Sequence, residues 1–174
     1  MIDYNIFLIG FMGAGKSTIA RTLVRELGCP LVEMDERIVQ EQGMSINDIF
    51  AQYGEEHFRD IESKLIQDLG KQEASVISCG GGVVVRPQNT EYMKQSGRIV
   101  FLSATPETVY ERVKNSNDRP ILNGHMNVEY IAQLMEKRRR LYEEAADFIV
   151  STDKKTREEI CQEILDRLEE TNEI

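Results

Sequence analysis

The chain predicts an α/β fold in three layers, a parallel sheet covered by helices on both faces. Three observations carry this. Five short apolar runs, β-branched or aromatic, alternate with longer stretches of helical periodicity. The first run leads directly into the glycine-rich segment Gly10-Phe-Met-Gly-Ala-Gly15-Lys16-Ser17, which opens a helix. The length of 174 residues fits one compact domain, residues 1–174, and leaves little room for a second. Strand–helix–strand alternation places helices on both faces of such a sheet.

The first strand is Asn5–Ile9, and the segment after it satisfies GxxxxGK[ST]. Its glycines let backbone wrap phosphates, and the helix it opens, Lys16–Leu27, adds exposed N–H groups and a positive dipole end. The expected nucleotide contacts are Gly13, Ala14, Gly15, Lys16, Ser17 and Thr18, with Lys16 on the β- and γ-phosphates and the Ser17 hydroxyl on Mg2+. A GTP switch would also need a guanine-reading NKxD motif. Asn115-Ser-Asn-Asp118 comes nearest and lacks the lysine.

The second strand, Leu31–Met34, carries Glu33-Met-Asp35 at its end, and a helix Asp35–Glu41 follows. Phosphoryl transfer to an alcohol needs one carboxylate to orient the hydroxyl and take its proton, and another acid near the metal. Strand alternation puts residues 33 and 35 on one side. The alternative is that Asp35 only caps its helix while Glu33 is solvated.

Two helices come next, Ile46–Tyr53, started by Ser45 with Asp48, and Glu55–Leu69. In the second, Phe58, Ile61, Leu65 and Leu69 form the buried stripe. Arg59 falls at its edge beside Ile66, able to reach water or to turn into a cleft. Residues 36–62 are expected to form a helical substrate-binding insertion. The third strand, Val76–Ser78, runs into Gly80-Gly81-Gly82, which either lets a ligand approach the backbone or serves as a flexible turn.

A fourth strand, Arg98–Leu102, and a helix Pro106–Lys114, entered at Thr105, precede a polar stretch over residues 115–127. A loop that long is usually functional, and a lid is expected there. Helix Val128–Ala145 turns Ile131, Leu134, Met135, Leu141, Tyr142 and Ala145 inward, and Arg138 lies in the middle of that stripe. A cation there must find an anion, either a ligand or a carboxylate such as Glu62, which also faces inward. Strand Phe148–Ser151 and helix Arg157–Leu168 close the pattern. His57 and His125 show no ligand spacing.

Composition narrows the partners. A net charge of −9 argues against nucleic acid, and the run Lys137-Arg138-Arg139-Arg140 is too short to reverse it. Cys29, Cys79 and Cys161 are scattered and read as reduced thiols of a cytoplasmic protein. The apolar run Ile6-Phe7-Leu8-Ile9 is far too short for a signal peptide or a membrane span.

Taken together, GFMGAGKST, the acidic pair, GEEHFRDIE, the GGG turn, Arg119-Pro-Ile-Leu and Arg138-x-x-x-Tyr142-x-Glu-x-Ala-Asp147 resemble shikimate kinase over nearly the whole chain. The resemblance implies a P-loop, nucleoside-monophosphate-kinase-like fold with strand order 2-3-1-4-5. It implies ATP- and Mg2+-dependent phosphorylation of shikimate at O3, and a monomer is expected. By motif, Asp35 resembles the acid at the reacting hydroxyl, with Lys16 and Arg119 on the transferring phosphoryl group. Arg59, Gly80, Gly81, Gly82 and Arg138 resemble the shikimate site, both arginines reading the carboxylate. Arg112 resembles a residue packed on adenine, Lys155 lies in a region that contributes to the nucleotide pocket, and Ser17 and Glu33 resemble the metal site. The family usually has aspartate where this chain has Glu33, and often proline where it has Arg140. Rival readings are a gluconate or nucleotide kinase, or a non-catalytic nucleotide-binding module; the last would lack the base, the lysine or the lid arginine, and all three are present.

Overall fold

The computed structural model describes residues 2–115 and 127–172. Five strands form one parallel sheet in the order β2-β3-β1-β4-β5. They are β1 (Asn5–Ile9), β2 (Leu31–Glu33), β3 (Val76–Ser78), β4 (Gly97–Ser103) and β5 (Phe148–Ser151). The central strand β1 is wholly buried, as a strand covered on both faces must be. Its side chains alternate between two apolar layers. Phe7 and Ile9 pack with Ile38 of α2 (Met34–Gln42), Phe58 and Ile66 of α4 (Glu55–Leu69), and Ile131 and Tyr142 of α7 (Val128–Ala145). Ile6 and Leu8 pack with Ile19 and Leu23 of α1 (Lys16–Leu27) and with Ile160 and Ile164 of α8 (Arg157–Asn172). Each fully buried side chain of this kind contributes about 2 kcal/mol, so the strand that launches the phosphate loop is firmly anchored in both layers.

Helix starts follow local chemistry. Ser45 accepts the amide of Asp48 at 3.1 Å to start α3 (Ile46–Tyr53), and Thr105 accepts that of Thr108 at 3.3 Å to start α6 (Pro106–Val113). No described helix is long and apolar enough to cross a membrane.

Five elements differ from the sequence expectation by a residue or more at one end or both. β2 ends at Glu33 and α2 begins at Met34; β4 extends to Gly97 and Ser103, and α8 to Asn172. α6 stops at Val113, with Lys114 as its C-cap. Two elements were not expected: a 3-10 turn Val83–Val85 and α5 (Pro87–Ser96). The weak amphipathicity of α5 hid it, since it buries only Asn89 and Met93. Residues 36–62 fold as α2, α3 and the first half of α4, between β2 and β3. Most of the expected lid, residues 116–126 with Arg119 and His125, lies outside the described residues.

Candidate active site

Three neighbouring strands, β2, β3 and β1, end on one edge of the sheet, where open α/β sheets bind ligands. Beyond β1 the phosphate loop turns through Gly13 (φ +77°) and Gly15 (φ +98°), conformations an L side chain rarely adopts. A Cβ on Gly13 would also come within 2.8 Å of Val113. Lys16 Nζ donates to the carbonyls of Gly10 (2.6 Å) and Phe11 (3.1 Å), which pins the lysine over its own loop. Arg112 donates to the Gly13 carbonyl at 2.9 Å, so α6 braces the loop from the far side.

At the end of β2, Glu33 and Asp35 converge by a route that differs from the expected one. Asp35 sits in the first turn of α2, not on the strand, and Glu33 is the N-cap, with no side-chain capping bond. Asp35 is therefore not the cap of its helix. Its carboxylate is exposed toward the cleft, where Oδ1 lies 2.9 Å from the place a Cβ on Gly80 would occupy. Glu33 Oε2 accepts the Ser17 hydroxyl at 2.8 Å, and the Ser78 hydroxyl lies 3.4 Å from that of Ser17. Glu33 Oε1 is buried without a hydrogen bond among the described residues, the Arg21 guanidinium standing 3.8 Å away. An orphaned carboxylate oxygen beside two hydroxyls is a donor set that suits a hard divalent cation such as Mg2+.

Beyond β3 the Gly80–Gly82 turn is the floor between two arginines. Arg59 of α4 is 4% exposed, and Nη1 donates to Glu62 Oε1 at 3.0 Å while Nη2 donates to Glu55 at 3.2 Å. Its guanidinium occupies the space a Cβ on Gly82 would need. Glu62 is fully buried, and its Oε2 has no hydrogen-bond partner among the described residues. Burial pushes the Glu62 carboxyl up to about 7, against the opposing pull of Arg59 and Arg138. Across the turn, Arg138 of α7 stands 3.7 Å from the Cβ position of Gly81. Among the described residues no carboxylate lies within 4.0 Å of it, so the expected alternative of an Arg138–Glu62 ion pair is not formed; Glu62 pairs with Arg59 instead. Tyr142, one turn on, donates its hydroxyl to the Gly81 carbonyl.

Two cavities result. One, of about 380 Å3, is lined by Lys16, Ser17, Thr18, Glu33 and the phosphate loop. The other, of about 320 Å3, is lined by Arg59, Glu62, Gly82, Arg138 and the apolar wall of Ile46, Phe50 and Phe58. They meet at Met12, Asp35, Gly80 and Gly81. A carboxylate thus stands at the junction of a phosphate-sized and a cationic, half-apolar compartment.

The structure brings together Lys16, Ser17, Glu33, Asp35, Arg59, the three glycines and Arg138. It does not bring in Lys155, whose ammonium is engaged by Glu163 of α8 at 2.7 Å, outside the lining of either cavity. Glu62 enters the sequence reading as an inward-facing carboxylate and an alternative partner for Arg138, and Tyr142 as an inward-facing residue. Their polar ends join the site, a contact that helical periodicity places on the right face without revealing its partner.

Comparison with known proteins places this arrangement. The family model described as shikimate kinase matches residues 12–169. A shikimate kinase of Dehalococcoides mccartyi is 44% identical over 164 residues, 94% of this chain and 93% of that protein. The structure of a shikimate kinase from Acinetobacter baumannii in complex with shikimate superposes with a TM-score of 0.91 at 32% identity, covering 97% of this chain and 94% of that one. The shikimate kinase structure from Aquifex aeolicus gives 0.83 at 39% identity, covering 97% and 98%.

Proposed function

Since the chain belongs to the shikimate kinase family, we propose that it transfers the γ-phosphoryl group of ATP to the 3-hydroxyl of shikimate, giving shikimate 3-phosphate and ADP. The observation that carries this reading is the junction of the two cavities at Asp35 and Gly80–Gly81. Shikimate, a carboxylate with ring hydroxyls, fits the cationic compartment, and its acceptor oxygen then faces the phosphate loop.

In this reading Arg59 and Arg138 hold the substrate carboxylate from opposite sides of the glycine turn, with Phe50 and Phe58 against the ring. Asp35 accepts a hydrogen bond from the 3-hydroxyl and takes its proton as the oxygen attacks the γ-phosphorus. A new O3–P bond forms, the bond to the β,γ-bridging oxygen breaks, and ADP leaves with the electron pair. Lys16 exchanges its loop carbonyls for phosphate oxygens. Ser17 and Glu33 would hold Mg2+, which supplies charge neutralisation on the β- and γ-phosphates when bound. Most of the catalysis is positioning and preorganised electrostatics.

Arg112 is assigned to the adenine by motif, a reading that its contact with the phosphate loop supports, and Arg119, outside the described residues, is assigned to the phosphates by motif alone. Residues 36–62 serve as the acceptor-binding insertion and residues 115–127 as the lid. The three free thiols suit a reducing cytoplasm, and the working unit is the monomer. Proton-coupled phosphorus NMR of the product tests the regiochemistry: the reading requires phosphorus coupled to H3, and coupling to H4 or H5 contradicts it.

A further inference from the structure

The Gly80–Gly82 turn and the N-terminal half of α4 are separate pieces of chain, yet both must hold still for Arg59 to meet a carboxylate. One side chain links them from outside the pocket. Arg86 sits at the N-cap of α5, four residues beyond Gly82. The intervening 3-10 turn is tied by Val83 N to the Gly80 carbonyl (3.2 Å) and Val85 N to the Gly82 carbonyl (3.1 Å). Buried Asn89 adds a bond from Nδ2 to the Val83 carbonyl at 2.9 Å. Arg86 therefore moves with the glycine turn as one unit.

Its guanidinium reaches back to α4. Nη1 donates to Asp60 Oδ1 at 2.7 Å, and Nη2 donates to Glu56 Oε2 at 2.9 Å and to the Glu56 carbonyl at 3.3 Å. Only 17% of the Arg86 side chain is exposed, although both carboxylates are in solvent. Glu56 and Asp60 lie four apart, on one face of the helix, and Arg59 lies on the pocket side of the same turn. One exposed ion pair would contribute little, but a planar guanidinium bridging two carboxylates and a backbone carbonyl fixes orientation as well as distance.

We propose that Arg86 is a positioning residue for substrate-carboxylate recognition: it locks the first two turns of α4 to the glycine turn and so holds the Arg59 guanidinium over Gly82. The inference rests on the assignment of this pocket to the shikimate carboxylate. It concerns the spacing of two walls, which no residue inside the pocket sets alone.

The test is steady-state kinetics of Arg86→Ala, Arg86→Lys and Asp60→Asn, with Arg140→Ala as a control that removes an equally close but remote ion pair. Thermal melting is followed in parallel. Arg86→Ala is expected to raise the KM for shikimate about tenfold, equivalent to about 1.4 kcal/mol, with the KM for ATP and the melting temperature little changed. Arg86→Lys, which keeps charge but not the planar fork, should recover only part of the loss, and Asp60→Asn should raise the same KM by a smaller factor. An unchanged shikimate KM in Arg86→Ala, or equal rises in both KM values, overturns the proposal. If Arg86→Ala fails to fold, Asp60→Asn decides, since it must still shift the shikimate KM alone. Failure of the wild type to use shikimate would instead overturn the assignment of the pocket.

Discussion

The hydroxyl of Tyr142 donates to the carbonyl of Gly81, so the helix that carries Arg138 is tied to the floor of the acceptor pocket one turn beyond the arginine. Tyr142 is 1% exposed and stacks on Phe101 with ring centroids 5.0 Å apart. Burial pushes its phenol up to about 12, so it remains a donor throughout the working pH range.

Removing that hydroxyl leaves the ring in place and frees the turn. Tyr142→Phe should therefore raise the shikimate KM about tenfold, with a smaller effect on the KM for ATP, and lower stability by about 1 kcal/mol. Steady-state kinetics and denaturant unfolding check both parts.

Gly82 has φ −100° and ψ 10°, a conformation alanine also adopts, so the nearest obstacle to a side chain there is the Arg59 guanidinium. That obstacle is the end of a flexible side chain. Gly82→Ala should fold normally and displace Arg59, weakening shikimate about tenfold at unchanged ATP affinity, as measured by titration calorimetry for each ligand.

Arg138 has no carboxylate partner among the described residues, so its charge is available to the acceptor. Arg138→Ala should raise the shikimate KM and also lower kcat, because binding energy at the carboxylate aligns the distant hydroxyl. The expected loss in kcat/KM is about a hundredfold or more, equivalent to about 2.7 kcal/mol. An unchanged kcat/KM would return Arg138 to a structural role.

Glu62 gives a pH signature. Its carboxyl rises from 4.5 to about 7 in the folded protein, chiefly through burial. The native state then holds a proton that the unfolded chain has released, so this contribution to stability is full below the unfolded value and is lost as pH rises to about 7. The stability of the wild type relative to Glu62→Gln should fall by on the order of 3 kcal/mol between about pH 4.5 and 7. Denaturant melts across that range check it, and a pH-independent difference would contradict it.

Much of this was legible in the sequence. The five strands were readable because a buried parallel strand is a short β-branched run between breakers, and GxxxxGK[ST] placed the phosphate loop. The strand order came from the resemblance, since alternation alone does not order strands. Strand alternation does not bring Asp35 to the cleft edge: the strand stops at Glu33, and the first turn of α2 brings the carboxylate round. Arg86 and α5 went unread because their partners lie 26 and 30 residues away and the helix buries little. Periodicity reports which face is inside, not which distant carbonyl or carboxylate a side chain finds there.

On this reading the two compartments meet to pass a phosphoryl group to shikimate. Coupled ADP release with ATP and Mg2+ tests it most directly, run with shikimate, with gluconate and without acceptor. Rapid ADP release is expected with shikimate as the only productive acceptor. Release with gluconate and not with shikimate, or no release with either despite ATP binding, would contradict it.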